Sequence, residues 1–258
     1  MRYLLLVTVF TFVLPFTVKA DIYDDVMNFE VKGPSSSELT KSHDLWATYY
    51  YIPTYDHKEN TYPLLDLEGE ELGASLIRKN WCYAGIEGTV AVKKDGVSTV
   101  FNYAGRSEEL QVNCADYFPR FPATGRIRWK VSEGPYGEGT YETDYILFPY
   151  RSIAVDKRVI AYGTVLYIPA AVGIEVKLKS GRTFTHDGYF FAADKGGGIK
   201  GNHIDVFQGF EVIKGFEKFV KSRPSGKFRA YVVENSKLQK ALDYVSDKNN
   251  EYLRGDEF

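Results

Sequence analysis

The 258-residue sequence carries 32 Lys and Arg against 34 Asp and Glu, which gives a formal net charge of -2. That balance excludes the strongly basic surface typical of chains that bind nucleic acid or anionic membranes. With 20 Tyr, 17 Phe, 23 Gly and 10 Pro, the composition is typical of an ordered, β-rich chain that is long enough to bury a large core.

The first twenty residues, "MRYLLLVTVFTFVLPFTVKA", have the pattern of a secretory signal peptide. Arg2 precedes an apolar stretch too short to span a bilayer, and the small residues Val18 and Ala20 stand where a cleavage site requires them. No later run approaches the roughly 18 apolar residues that a membrane helix needs. We therefore predict a signal peptide over 1–20 and an exported protein, periplasmic or secreted, that is soluble and has no membrane span.

Residues 21–44 are polar and end in the Pro- and Ser-rich text "GPSSSELTKSH", which predicts a leader segment. The first strong strand is predicted at "LWATYYYIP", where aromatic and β-branched residues run up to Pro53. "GTVAVKK" and "STVFNYAG" follow, joined across Asp95 and Gly96 as a hairpin turn favours. The further strand candidates are "GRIRWKVS", "TDYILFP", "TVLYIPA", "GIEVKLKS", "GYFFAAD" and "KFRAYVVEN".

Two modest helices complete a mainly β prediction. In "GFEVIKGFEKFVK", the residues Phe210, Ile213 and Phe216 follow the spacing of one apolar helix face. In "SKLQKALDYVSDK", Ser236 is well placed as the N-cap of a C-terminal helix, and helix and tail together occupy 236–258. The loop-rich text at about 55–142 is interpreted as an insertion that forms one wall of a cleft.

The sequence contains two cysteines, Cys82 and Cys114. In an oxidising compartment, two thiols without competitors favour a structural disulfide. The alternative, a catalytic thiol, needs a partnering His, and neither "NWCYAG" nor "QVNCADYF" contains one. The four His and two Cys are scattered without ligand spacing, so we predict no metal site.

The stretch "AADKGGGIKGNHIDVFQG" places Asp194 at the end of one predicted strand and Asp205 on the next. Two carboxylates then face one place, and a carboxyl in a crowded, partly dry site has a raised pKa that allows it to act as an acid near neutral pH. The alternative is a turn at Gly196, Gly197 and Gly198, with aspartates that cap backbone NH groups. Spacing alone favours this alternative.

The wider pattern changes that balance. The run "VDKRVIAYGTVLYIP", followed by "GYFFAADKGGGIKGNHIDVFQG", resembles the three-Asp (3D) domain shared by the membrane-bound lytic transglycosylase A family and related muralytic proteins. Asp156 matches the aspartate of the family's "VD…VIPLGT" motif, Asp194 that of "AxDTGGAIKG", and Asp205 that of "IDVF". The segment 48–53 resembles the family's earlier "TxY" strand.

This resemblance implies a six-stranded double-psi β-barrel, here over 45–235, and cleavage of peptidoglycan glycan strands without a cofactor. In the family, the residue matching Asp205 donates a proton to the β-1,4 bond between N-acetylmuramic acid and N-acetylglucosamine. It then accepts the proton of the muramic acid C6 hydroxyl, which attacks C1 and gives a 1,6-anhydro product. Asp194 is expected to orient or tune Asp205, and Asp156 is expected to be a third member of the site.

Eight further residues are candidates for substrate contact. A loop lysine is equally a solvated charge, an aromatic strand is more often core, and a loop rich in Gly and Tyr is equally a mobile surface loop. His203, beside the candidate acid, is expected to be structural. The eight candidates are Thr48, Tyr50, Gly196, Gly197, Lys200, Asn202, Tyr136 and Tyr141.

Two other functions remain open at this level. One is a polysaccharide hydrolase that uses Asp194 and Asp205 as an acid and base pair. The other is a carbohydrate-binding barrel of the expansin kind that breaks no bond, although the presence of three aspartates argues against it. In each case we expect a monomer whose partner is a glycan strand and not a nucleic acid.

Overall fold

The computed structural model describes residues 22–140, 142–143, 145–178, 180–210 and 215–247. The predicted signal peptide, Tyr141 and the tail beyond 247 lie outside this range. No helix within it is long and apolar enough to cross a membrane. The α-helices of this range are α1 (Ile22–Asn28), α2 (Arg78–Glu87) and α3 (Ser236–Val245).

Most strands of the described residues are short, and they lie between Leu39 and Val233. They are β1 (Leu39–Tyr50), β2 (Thr54–Asp56), β3 (Tyr62–Leu65), β4 (Glu71–Leu76), β5 (Thr89–Lys94), β6 (Val97–Arg106), β7 (Ile127–Val131), β8 (Ser152–Ala154), β9 (Val165–Tyr167), β10 (Glu175–Lys177), β11 (Thr183–Thr185), β12 (Tyr189–Asp194), β13 (His203–Phe207) and β14 (Phe228–Val233).

Six of these strands close into a barrel in the order β1-β13-β8-β12-β9-β14. The pairs β1/β13 and β8/β12 are parallel, and the other neighbours are antiparallel. The barrel interior is filled by apolar side chains from before residue 50 and after residue 145, including Leu45, Ile153, Phe190, Ile204 and Ala230. The prediction of a mainly β chain with a six-stranded double-psi barrel is confirmed, with three short helices instead of two.

Between β1 and β8, the chain forms a second sheet in the order β2-β5-β6-β7 and a separate β3-β4 hairpin. The predicted turn between β5 and β6 has φ +50° at Asp95 and +82° at Gly96, as a tight hairpin turn requires. A disulfide joins Cys82 on α2 to Cys114, as predicted. Both cysteines are buried in an apolar cluster around Trp81. The predicted boundaries of an insertion, at about 55–142, stay a prediction.

The leader segment has more structure than its polar composition predicts. It contains α1, and β1 begins at Leu39, six residues before the predicted strand. The guanidinium of Arg151 donates to the carbonyl of Val26 at 2.7 Å and forms a buried ion pair with Asp187 at 2.6 Å. The Arg151–Asp187 pair therefore helps to fix α1 to the barrel.

The helix predicted at 209–221 is wrong over its described part, where residues 215–219 form turns. Phe216 and Phe219 are buried against Phe190, with ring centroids 5.9 and 6.2 Å away. The backbone N–H of Phe216 donates to the hydroxyl of Tyr49 instead of a helical carbonyl. The apolar spacing therefore reflects packing against the barrel and not a helical repeat.

The C-terminal helix α3 is present as predicted, but its cap lies one residue earlier. The side chain of Asn235 accepts hydrogen bonds from the backbone N–H groups of Lys237 and Leu238. Ser236 is instead the first residue of the helix. Asn and Ser are comparable N-caps, so their order in the sequence did not separate the two.

Candidate active site

A row of residues across four neighbouring barrel strands defines the candidate site. Thr48 on β1 lies opposite Asp205 on β13. Ala154 on β8 lies opposite Asp205 on one side and opposite Asp194 on the other. Because neighbouring strands lie about 4.8 Å apart, the two aspartate backbones are roughly 10 Å apart. Barrel closure thus brings Thr48 next to Asp205, although 157 residues separate them in the sequence.

The glycine-rich loop between β12 and β13 folds tightly at two of its glycines. A Cβ on Gly196 would lie 2.4 Å from Cγ1 of the buried Ile199. Gly201 has φ +60°, a conformation that a residue with a side chain rarely adopts. In contrast, a Cβ on Gly197 would meet nothing within 4 Å. The loop geometry therefore depends on glycine at Gly196 and Gly201.

Asp205 is half-buried, and its carboxyl contacts the hydroxyl of Thr48, with Oδ1 to Oγ1 at 2.7 Å. Burial raises the pKa of Asp205 to about 7, and the negative charge of Asp194 acts in the same direction. The Thr48 hydroxyl opposes these effects when it donates to the ionised carboxylate. The balance leaves Asp205 with a substantial protonated fraction at neutral pH, as a general acid requires.

Asp194 ends β12 and accepts two hydrogen bonds. The Tyr50 hydroxyl donates to Oδ2 at 2.9 Å, and the backbone N–H of Lys195 donates to Oδ1 at 2.7 Å. Burial nevertheless raises the pKa of Asp194 to about 6, since it outweighs these bonds and the charge of Lys195. Asp194 is therefore the more acidic of the two groups and is mainly ionised at neutral pH.

Asp156 has a different environment. The Arg158 side chain donates to its two oxygens at 2.9 and 2.6 Å, and the backbone N–H of Gly201 donates to Oδ2 at 2.8 Å. These bonds, led by that of Arg158, hold the pKa of the Asp156 carboxyl well below its usual range. Asp156 therefore stays ionised and ties the glycine-rich loop to the segment after β8.

Glu87, the last residue of α2, is a candidate that the sequence analysis missed. Burial raises the pKa of Glu87 to about 7, and the charge of Asp205 raises it further, while the N–H of Tyr51 donates to its carboxyl. Gly88 follows with φ +81° and ends the helix. A Glu-Gly pair in a loop-rich region carries no signal of a site, and only the fold brings Glu87 to the barrel.

A cleft of about 940 Å³ opens beside these groups, between the barrel loops and the second sheet. Both parts of the chain contribute charged side chains to it. Asp205 is not among the described residues that line the cleft. Its charge interacts with those of Asp194 and Glu87, which do line it. The charged lining includes Glu87, Arg106, Arg120, Asp156, Asp194 and Lys200.

The other residues predicted to contact substrate occupy different positions around the site. Gly196, Gly197 and Lys200 line the cleft, and Thr48 and Tyr50 bind the two aspartates. Asn202 is exposed, and its carbonyl accepts a bond from the N–H of Trp46 at 3.0 Å.

Tyr136, which was predicted to contact substrate, is not among the described residues that line the cleft. Tyr136 is 7% exposed and packs against Phe210 in a core cluster, with ring centroids 5.4 Å apart. Tyr141 lies outside the described residues. No group of three or more His, Cys, Asp or Glu side chains suited to a metal ion occurs in the described part of the chain.

The fold and the row of aspartates define a class of protein, the barrels with a 3D domain. The profile of the 3D domain family matches residues 151–214, which include all three aspartates. Residues 151–214 therefore match a 3D domain, as the motifs predict. No curated protein sequence matches the chain.

Solved structures of lytic transglycosylases are similar to this chain in fold. A membrane-bound lytic murein transglycosylase from Agrobacterium tumefaciens is 12% identical, with a TM-score of 0.50 over 85% of this chain and 86% of its own. E. coli MltA with bound chitohexaose is 16% identical, with a TM-score of 0.48 over 74% and 72%. LtgG of Burkholderia pseudomallei is 18% identical, with a TM-score of 0.33 over 74% and 71%.

Proposed function

We propose that this protein is a peptidoglycan lytic transglycosylase that cleaves the bond between N-acetylmuramic acid and N-acetylglucosamine, with Asp205 as the single acid and base. The observation that carries the proposal is the Thr48-Asp205-Ala154-Asp194 row, which holds one protonatable and one ionised carboxyl beside a cleft of about 940 Å³. The 3D domain match and the fold of the Agrobacterium enzyme support it.

The reaction needs one proton to leave Asp205 and one to return. Protonated Asp205 donates to the glycosidic oxygen as its bond to C1 of the muramic acid breaks, and the charge that develops at C1 is positive. The C6 hydroxyl of the same sugar then attacks C1 and gives its proton to the Asp205 carboxylate. Because the nucleophile is part of the substrate, no water is consumed and the ring closure gains the advantage of an intramolecular step.

The neighbours of Asp205 have complementary roles in this scheme. The ionised Asp194 keeps the pKa of Asp205 high and stabilises positive charge at C1. The Tyr50 hydroxyl fixes the orientation of Asp194. Asp156 acts through the loop that it anchors, and Lys200, Gly196 and Gly197 of this loop line the cleft. We further propose that the chain works as an exported monomer on glycan strands.

Digestion of purified sacculi tests the function directly. The parent protein is expected to release anhydro-muropeptides, identified by mass spectrometry before any borohydride reduction, and Asp205→Asn is expected to lower the rate by at least a factor of about 100. Asp44→Asn is the matched control, because Asp44 is an exposed residue of the same barrel paired only with Arg229. Absence of soluble product from the parent protein would contradict the proposal.

A second candidate function, hydrolysis, is favoured by one observation. Glu87 supplies a second half-buried carboxyl whose pKa responds to the charge of Asp205, and a pair of carboxyls is what a hydrolytic glycosidase uses. Digestion in ¹⁸O-labelled water separates the two reactions, since hydrolysis adds labelled oxygen to a reducing muramic acid end. We expect unlabelled anhydro ends, and Glu87→Gln should leave this product type unchanged. Labelled ends that disappear in Glu87→Gln would assign the hydrolase.

A further inference from the structure

The ring of His203 lies two residues before Asp205 on β13 and is held in a fixed plane. It stacks on the indole of Trp46, with ring centroids 3.6 Å apart and planes 7° from parallel. Its Nε2 atom lies 2.8 Å from Oγ1 of Thr48, the same hydroxyl that contacts Asp205 at 2.7 Å. Thr48 therefore stands between the imidazole and the candidate acid.

The second ring nitrogen of His203, Nδ1, determines where the ring carries its proton. The backbone of Gly198, in the glycine-rich loop, raises the pKa of His203 as a hydrogen-bond acceptor for its ring. Because Nε2 faces Thr48, Nδ1 is the nitrogen left for this acceptor, and a proton on Nδ1 satisfies it. Burial lowers the pKa of His203, so the ring is neutral near pH 7. A neutral ring with a proton on Nδ1 has an acceptor at Nε2.

A count of hydrogens limits the directions of the bonds in the chain. The single hydroxyl hydrogen of Thr48 can point at Nε2 of His203 or at Oδ1 of an ionised Asp205, but not at both. When it points at Nε2, Oγ1 can only accept from the Asp205 carboxyl, which must then be protonated. In that state the hydrogen bonds run from Asp205 to Thr48 and from Thr48 to His203.

We propose that His203 is a positioning residue that keeps Asp205 in its acid form through the Thr48 hydroxyl. The inference rests on the proposed function for its catalytic meaning. When Asp205 gives its proton to the glycosidic oxygen, the Thr48 hydroxyl turns to donate to the new carboxylate and Nε2 loses its donor. The chain regains that bond only when Asp205 takes a proton back, which is the step that the C6 hydroxyl supplies.

The charged groups around the chain act in the same direction. The groups that face Asp205 are the carboxyls of Asp194 on β12 and Glu87 at the end of α2, together with the Tyr50 hydroxyl on β1. The cations beside the two other aspartates form ion pairs, Lys195 with Glu142 and Arg158 with Asp156. Anionic surroundings favour a protonated carboxyl, which is the form of Asp205 that the hydrogen-bond chain also favours.

Two NMR measurements on the protein without substrate test the proposal, so that failure of the proposed function does not affect them. In ¹⁵N-histidine-labelled protein, the His203 signals, assigned by their loss in His203→Phe, should show Nδ1 protonated and Nε2 bare at pH 7. The Asp205 carboxyl signal, assigned with Asp205→Asn, should have its titration midpoint lowered in His203→Phe by about one pH unit. A proton on Nε2 of a neutral ring, or an unchanged midpoint, would overturn the proposal.

Three variants separate this role from a packing role. His203→Phe keeps an aromatic ring on Trp46 but removes both nitrogens. Trp46→Phe weakens the stacking and keeps the nitrogens, and it should leave the Asp205 midpoint unchanged. In a Thr48→Val background, the His203→Phe change should no longer move the midpoint, because the connecting hydroxyl is gone. Equal shifts with and without Thr48 would mean that His203 acts by another route.

Discussion

At the scale of single residues, the site separates two aspartates by environment. Asp194 accepts two hydrogen bonds and remains the stronger acid, whereas Asp205 has only the Thr48 hydroxyl and faces two other carboxyls. Neighbouring carboxyls that cannot all ionise acquire different pKa values. One aspartate can then serve as the acid and the other as the anion, although the residue type is the same. The same imbalance has a cost in folding stability.

Asp205→Asn should therefore stabilise the fold at alkaline pH. A carboxyl whose pKa rises from about 4 in the unfolded chain to about 7 in the folded protein contributes stability below pH 4, and this is lost as pH rises through 7. The variant cannot ionise and keeps its stability. Three pKa units correspond to about 4 kcal/mol, and solvent screening of the half-buried Asp205 reduces this, so at pH 8 the variant should exceed the parent by on the order of 2 kcal/mol. Urea unfolding at pH 4 and pH 8 measures this, and a difference that is no larger at pH 8 would contradict it.

At the scale of elements, strand β12 and its loop were the most predictable part of the site. "GYFFAAD" is a continuous apolar run, and its residues up to Ala193 are buried as such runs predict. The helix predicted from Phe210 and Phe216 failed because apolar spacing does not distinguish a helix face from turns packed on a barrel. Glu87 could not be predicted, since its position depends on how a separate sheet docks beside the barrel.

The glycine-rich loop offers a matched pair of substitutions. Gly196→Ala places a methyl group against the buried Ile199 and should displace the loop that Asp156 anchors, whereas Gly197→Ala meets open space. We expect Gly196→Ala to reduce the rate of glycan cleavage by a factor of about 10 or more, and Gly197→Ala to change it by less than about 3. Initial rates on sacculi give the comparison, and equal losses in both variants would show that the loop does not depend on tight packing at Gly196.

At the scale of the whole molecule, the cleft joins two regions with separate cores. The wall that carries Glu87 has its own apolar cluster around Trp81 and Trp129, whose rings meet edge to face at 5.9 Å. The disulfide at Cys82 lies in α2, five residues before Glu87. The disulfide thus stabilises α2, the helix that also carries Glu87.

Removal of this bridge should destabilise the molecule. Cys82 and Cys114 are 32 residues apart, and a closed loop of that length is worth about 3 to 4 kcal/mol in the chain-entropy description. A Cys82→Ser, Cys114→Ser protein should lose stability of this order in urea unfolding. The reduced parent protein should behave like the double variant, and a parent whose unfolding does not respond to reductant would argue against a role for the bridge in stability.

Barrel closure also determines when the site comes into being. Thr48 and Asp205 are 157 residues apart, and Tyr50 and Asp194 are 144 apart, yet each pair meets through one hydrogen bond. A ribosome that adds about 5 to 20 residues per second needs roughly 8 to 30 s to span the longer separation. Throughout that interval the nascent chain lacks Asp205, so the site is latent until β13 and β14 enclose β1.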